Sequence, residues 1–436
     1  MLIRNLAMAL ALAAPLAVLA DAPAGACHLG AYAMSDGSTV LVQPSANDDL
    51  RYRFLDGASG RLFHLADDEY ESGEGWAVRE PATLKVRFAG CEEGRIRMRW
   101  SEGREIDGKR IRFPIEPVRF RSGEETLYGE LFLPPEKSPR AVVILQYGGA
   151  KESAVINNYV QYLLPLHGFA TFVFDKRGTG RSGGKFNAHI GMLADDMVAA
   201  TGAVRALPAV KGIPLGLMGE SQGGWVAPLA ASRKSVDFVI ASYGMAVSMI
   251  EEDRQEVAQS LRMAGYGDDP EIMAKGEELH RAAIRVMQSR FREGLDALER
   301  LKDAYGDEPW FARIEGDFTR TLSHASAEEL PQIRAFFDFP YDIAYDPAPV
   351  IAALEMPQLW ILAGSDTEAP HEASLEILRR LREQGRPIDI KVFEQAEHGM
   401  IAVEEDAGER RLAGRTVPGY FELLAEWIGA RAAAMD

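Results

Sequence analysis

The stretch Pro214-Leu215-Gly216-Leu217-Met218-Gly219-Glu220-Ser221-Gln222-Gly223-Gly224-Trp225-Val226-Ala227 decides the fold. It starts as a short apolar run and ends as an apolar helical pattern, with glycines two before and two after a serine. A serine nucleophile on a sharp strand-to-helix turn needs that spacing, because side chains at those two positions would collide with the strained backbone. Ser221 is therefore expected at the carboxyl end of a buried strand, with a helix starting at once. A second match, Gly180-Arg181-Ser182-Gly183-Gly184, lacks that setting. The strand before it ends near Asp175 and no helix follows directly, so Ser182 reads as a turn residue.

The same texture extends outward. From about Val118, apolar strands alternate with amphipathic helical patterns, as in a mostly parallel sheet buried on both faces. Strands are expected at Leu127 to Leu133, Ala141 to Gln146, Ala170 to Phe174, Pro214 to Met218, Phe238 to Ser242, Gln358 to Ala363 and Ile388 to Phe393. Helices fit near Val155 to Leu166, Met192 to Leu207, Gln222 to Ser232, Glu372 to Glu383 and Tyr420 to Ala433. The alternation predicts an α/β fold with a doubly wound, mostly parallel sheet. It breaks between Met245 and Phe339, where charged amphipathic helix predicts a helical cap insertion. Met245, Met249, Met263, Met273 and Met287 in that stretch suit core packing better than an adaptable substrate surface. Ahead of the sheet, short β-rich segments (Thr39 to Val42, Arg51 to Leu55, Thr83 to Phe88, Arg95 to Trp100) lie between Gly, Asp and Ser clusters and read as a small β domain. The domain plan is 1–20 leader, 27–117 β-rich domain, 118–244 first part of the α/β core, 245–340 cap and 341–436 second part of the core.

The 436 residues are enough for two or three domains of roughly 100–200 residues, and 47% are hydrophobic. With 48 Lys+Arg against 65 Asp+Glu the net charge is −17, which leaves no electrostatic footprint for nucleic acid. Cys27 and Cys91 are too few for a disulfide-built scaffold and are not spaced as zinc ligands; they suit either one disulfide closing the N-terminal domain or two buried thiols. Arg4 followed by the uncharged run Leu6 to Ala20, with Pro15 inside it, predicts a secretory leader cleaved after Ala20. The run is short of the roughly 20 apolar residues that span a bilayer. The expectation is an exported protein, periplasmic or extracellular, with no stable membrane span.

A base and its orienting acid should follow the serine in the order that this connectivity imposes. Asp366, in Gly364-Ser365-Asp366, follows an apolar strand, and ligands bind at the carboxyl edge of such sheets. His398, in Glu397-His398-Gly399-Met400, follows the last strand, and Gly399 allows a tight loop that can swing the imidazole over Ser221. The other seven histidines lie before the sheet, at a helix end, in a loop before Ser221, in the cap or too close to Asp366. In this reading His398 takes the Ser221 proton, Asp366 fixes its tautomer, and an acyl-enzyme forms. The oxyanion needs two backbone donors, assigned to Gln222 and to Gly149 in Tyr147-Gly148-Gly149-Ala150. Tyr147 either adds a hydroxyl donor or lines the pocket. No metal or organic cofactor is expected.

These residues resemble the α/β-hydrolase superfamily, in its esterase and serine-peptidase-like branch. The resemblance rests on Gly219-Glu220-Ser221-Gln222-Gly223-Gly224, Asp175-Lys176-Arg177-Gly178-Thr179-Gly180-Arg181-Ser182-Gly183, Gly364-Ser365-Asp366 and Glu397-His398-Gly399. It implies that Arg177 and Ser182 belong to a structural loop and that the cap shapes substrate access. Tyr147-Gly148 departs from the family's frequent His-Gly, which leaves the second oxyanion donor less constrained.

The leading expectation is a serine hydrolase of carboxylic esters acting on a small ester or acyl substrate. A peptidase, amidase or thioesterase with the same three residues is the alternative, and a non-catalytic binding protein ranks last because Ser221, Asp366 and His398 are all present. An exopeptidase would need an acidic anchor for the substrate amine; Glu220, Glu251, Glu252 and Asp253 are the candidates.

Overall fold

The computed structural model describes residues 25–47, 49–186, 188–337, 342–406 and 409–434. The expected leader and the 340/341 boundary lie outside them. Eight antiparallel strands, β1 (Gly30–Met34), β2 (Thr39–Pro44), β3 (Leu50–Phe54), β4 (Ser59–Ala66), β5 (Glu69–Ser72), β6 (Leu84–Ala89), β7 (Arg95–Trp100) and β8 (Glu105–Arg110), close into a barrel because β1 pairs with both β2 and β8. In β7, Ile96 and Met98 are buried while Arg95, Arg97 and Arg99 face out. Tyr32, Leu62, Tyr70 and Phe88 help fill the interior. Closure leaves no unpaired edge. A Cys27–Cys91 disulfide ties the segment before β1 to the β6–β7 turn.

The second sheet uses β9 (Ile115–Ser122), β10 (Glu125–Phe132), β11 (Val142–Gln146), β12 (Ala170–Phe174), β13 (Leu215–Glu220), β14 (Phe238–Ser242), β15 (Gln358–Ala363) and β16 (Ile388–Phe393), in the order β16-β15-β14-β13-β11-β12-β10-β9. β11 to β16 run parallel, and β9 and β10 form an antiparallel flank. The expected boundary at 117/118 needs correcting, because it falls inside β9. Pro117 lies within this strand, and a proline is tolerated there because β9 is at the edge of the sheet. A small sheet of β17 (Ala396–Glu397), β18 (Ile401–Asp406) and β19 (Glu409–Thr416), absent from the sequence reading, follows. Its charged residues on both faces gave no period-2 signal.

The helices are α1 (Ala154–Asn157), α2 (Val160–Leu166), α3 (Ile190–Arg205) and α4 (Gly223–Arg233), then α5 (Met249–Leu261), α6 (Pro270–Gln288), α7 (Leu295–Tyr305), α8 (Thr319–Ser323) and α9 (Leu330–Phe336) in the insertion, and α10 (Ala348–Ala353), α11 (Glu372–Glu383) and α12 (Tyr420–Ala433) after it. Alternate residues of β11 serve different cores: Val142 and Ile144 pack with α3, α4 and the insertion, Val143 and Leu145 with α2 and α12. The sheet is thus buried on both faces, which explains its unbroken apolar strands. Among the described residues of 245–337 there is no strand. Met245, Met249 and Met287 are buried there, whereas Met263 is exposed. No described helix is long and apolar enough to cross a membrane.

Candidate active site

From β11 the chain steps outward to β12 and then returns to the other side of β11 as β13. The reversal sets the carboxyl ends of β11 and β13 side by side, the edge at which ligands bind in open α/β sheets. One end leads into Tyr147-Gly148-Gly149 and the other into Ser221. Ser221 has a φ of 52°, a left-handed conformation that costs a non-glycine residue on the order of 1–3 kcal/mol. The glycines around it make the turn sterically feasible. A Cβ at Gly219 would stand 1.8 Å from the Gly223 oxygen, one at Gly223 2.6 Å from the Gln146 oxygen, and one at Gly224 2.7 Å from the Gly244 Cα. Gly148 also passes close, since a Cβ there would lie 3.3 Å from the Ser221 Cβ.

Asp366 and His398 arrive from the loops after β15 and β16. His398 Nε2 is 2.9 Å from Ser221 Oγ, and its Nδ1 is 3.0 Å from Asp366 Oδ2. Asp366 is 1% exposed, and its Oδ1 accepts from the Glu368 and Ala369 N–H groups at 3.0 and 2.8 Å. The structure thus brings Ser221, His398 and Asp366 into one hydrogen-bonded chain. Gln222 and Gly149 line the cleft beside Ser221. This geometry can transfer a proton from a serine hydroxyl to an imidazole. Burial of the imidazole opposes its charging, but the charge and hydrogen bond of Asp366, with Glu368 and Glu397, outweigh it and raise His398 to about 9.

Three supporting residues, Tyr243, Gln259 and Arg410, had no sequence signal strong enough to find them. The Tyr243 ring stands edge-on to His398 at 5.1 Å. Gln259 of α5 donates to the Asp366 carbonyl at 3.0 Å, joining the helical insertion to the loop that carries Asp366. Arg410 of β19 pairs with Glu397 and donates to the Ser365 carbonyl at 2.7 Å, so one guanidinium holds the residues preceding both His398 and Asp366. Ser182 donates to the Asp175 carbonyl at 2.6 Å and accepts from the Tyr128 N–H at 2.9 Å. Arg177 forms a two-pronged pair with Asp196 at 2.8 and 2.5 Å.

The cleft has a volume of about 310 Å³ and is walled by Phe186, Trp225, Met249 and Phe336. Size alone does not single it out, since a hollow of about 570 Å³ on the barrel is larger. The carboxylates of Glu252, Asp317 and Glu368 also line it. The carboxylates of Glu252, Glu256 and Asp317 lie within 4.8 Å of one another, a set able to hold a cation. Burial and mutual repulsion raise Glu252 well above the usual carboxylate range, push Glu256 up to about 10 and push Asp317 up to about 6. The other expected anchor residues are engaged elsewhere. Glu220 is buried and accepts from Asn158 Nδ2 at 2.9 Å; burial pushes it up to about 7 against the pull of Tyr243, Asn158 and Arg53. Glu251 pairs with Arg254 at 2.5 Å, and Asp253 binds His280 Nδ1 at 2.8 Å.

Residues 137–249 match the family described as Serine aminopeptidase, S33. Two Mycobacterium tuberculosis proteins, provisionally named phosphoribosyl transferases, are 30% identical over 157 residues, 35% of this chain and 35% of theirs. The chain thus spans about a third of the length of these curated relatives. Among solved structures, a Pyrococcus furiosus esterase is similar with a TM-score of 0.45 and 16% identity, over 74% of this chain and 91% of that one. An acylaminoacyl peptidase of Pyrococcus horikoshii reaches 0.44 and 14%, over 91% and 56%. Likenesses that loose carry no information about substrate. The family match runs from just before β11 through Ser221 to the start of α5, and over those residues the chain is similar to that serine hydrolase family.

Proposed function

We propose that the protein is an exported hydrolase that cleaves carboxylic esters through an acyl-enzyme on Ser221, with His398 as general base and then general acid and Asp366 as its orienting partner. The observation that carries this reading is the relay of 2.9 Å from Ser221 to His398 and 3.0 Å from His398 to Asp366, set on a strained elbow. His398 takes the Ser221 proton as Oγ attacks the acyl carbon, and the N–H groups of Gln222 and Gly149 receive the oxyanion. His398 then protonates the leaving alcohol, and water returns along the same path to release the acid. The Cys27–Cys91 disulfide supports export to an oxidising compartment.

A second reading, cleavage of amides next to a free amine, is favoured by the acidic cleft, because a substrate ammonium would relieve the repulsion among Glu252, Glu256, Asp317 and Glu368. Matched p-nitrophenyl esters with and without an α-amino group, set against aminoacyl p-nitroanilides, separate the two. Ester turnover that vanishes in Ser221→Ala, with little anilide cleavage, is the expected result. Preferential anilide cleavage would replace the first reading by the second, and retention of turnover in Ser221→Ala would remove both.

A further inference from the structure

β12 ends one residue before Asp175, and Lys176 after it turns its side chain into the protein, where it is only 1% exposed. Its Nζ donates to the Gly148 carbonyl at 2.5 Å and lies 5.3 Å from the Phe186 ring centre. Burying an ammonium is costly, and among the described residues no carboxylate forms a salt bridge with this one; Glu152 attracts it only from a longer range. Burial pushes its pKa down to about 8. Neither the relay through His398 nor the Arg177–Asp196 pair uses it.

What it touches gives the burial a purpose. The Gly148 carbonyl and the Gly149 N–H belong to one peptide unit, and a trans peptide points them in opposite directions. With the carbonyl held against Lys176 in the interior, the Gly149 N–H must face the other way, and Gly149 lines the cleft beside Ser221. A Gly-Gly step is the one whose peptide flips most freely, so it gains most from being held. We infer that Lys176 is a positioning residue that fixes the 148–149 peptide with the Gly149 N–H aimed at the oxyanion formed on Ser221. The charge-assisted bond at the carbonyl end also polarises the peptide and strengthens the donor at its other end.

The inference rests on Ser221 as the nucleophile, and the experiment separates the two. Wild-type protein is first treated with a fluorophosphonate, and absence of label on Ser221 would remove the nucleophile reading itself. With labelling established, Lys176→Met, which removes the donor, and Lys176→Gln, which keeps a shorter neutral one, are compared by ester kinetics, phenylboronic acid inhibition and thermal unfolding. Lys176→Met is expected to lower kcat by about 10- to 100-fold, with KM within about twofold and the boronic acid inhibition constant raised in parallel. Lys176→Gln should fall between it and wild type, and it carries the test alone if Lys176→Met does not fold. A folded variant whose kcat and boronic acid affinity equal wild type, or whose loss lies in KM, overturns the inference.

Discussion

Ser221 and His398 are individually ordinary side chains, set 2.9 Å apart by where the backbone holds them. The consequence easiest to measure belongs to His398. Its pKa stands near 9, above the ordinary 6.5, because Asp366, Glu368 and Glu397 outweigh the cost of burying the charge. A base must be neutral to accept the Ser221 proton, so kcat/KM is expected to climb with pH and level off only near 9. Glu368 Oε2 is 3.8 Å from His398 Nε2. Removing that negative charge in Glu368→Gln destabilises the imidazolium, so the rise should shift to lower pH by roughly one unit. Superimposable profiles, or a shift upward, would contradict the electrostatic account. Ser182, with its hydroxyl shared between the Asp175 carbonyl and the Tyr128 N–H, makes the opposite control. Ser182→Ala should cost about 1 kcal/mol of stability in urea unfolding and leave fluorophosphonate labelling of Ser221 intact.

At the scale of the element, the elbow between β13 and α4 was legible because its constraints are local. Apolar residues before it, an apolar helix after it and glycines at fixed offsets are what a tight strand-to-helix turn demands. Gly219→Ala tests the turn directly. The added methyl would stand 1.8 Å from a backbone oxygen, which cannot move as a side-chain tip can, so labelling of Ser221 should slow by at least about 100-fold. A variant that labels at the wild-type rate would show that the elbow tolerates a Cβ. The strands with apolar residues throughout were equally visible, since burial on both faces leaves little room for polar side chains. β18 and β19 were not: Glu404, Glu405, Arg410 and Arg411 interrupt any apolar alternation, and pairing across the hairpin is what makes them strands. Arg410, which braces the loops carrying Asp366 and His398, was missed for that reason.

Over the whole molecule, the barrel is docked onto the domain that holds the site. Arg53 of β3, 6% exposed, donates to Gln43 Oε1 at 3.0 Å and to Thr416 Oγ1 at 2.9 Å, with its guanidinium 4.5 Å over the Tyr159 ring. Thr416 N–H donates to the Gly57 carbonyl at 2.8 Å, and Arg415 Nη2 reaches the Asp56 carbonyl at 3.0 Å. The barrel therefore grips the hairpin that follows His398 while its buried arginine lends positive charge to Glu220, the residue before Ser221. Arg53→Met should lower stability by roughly 1.5–3 kcal/mol, the worth of hydrogen bonds to a charged group, read as a lower urea midpoint. An unchanged midpoint would mean that the barrel docks without it.

Sequence alone determined what depends on neighbours in the chain. The apolar strands, the strained serine turn with its glycines, and the strand-end placement of Asp366 and His398 all follow from periodicity and local sterics, and these specify the core of the fold and the candidate chemistry. Tertiary structure decided the rest: closure of β1 onto β8, the joining of Cys27 to Cys91, the docking of Arg53, the brace from Arg410 and the gathering of Glu252, Glu256 and Asp317 around the cleft. Those depend on contacts between residues far apart in sequence, whose formation is set by packing and by the cost of burying charge, and no local pattern records either.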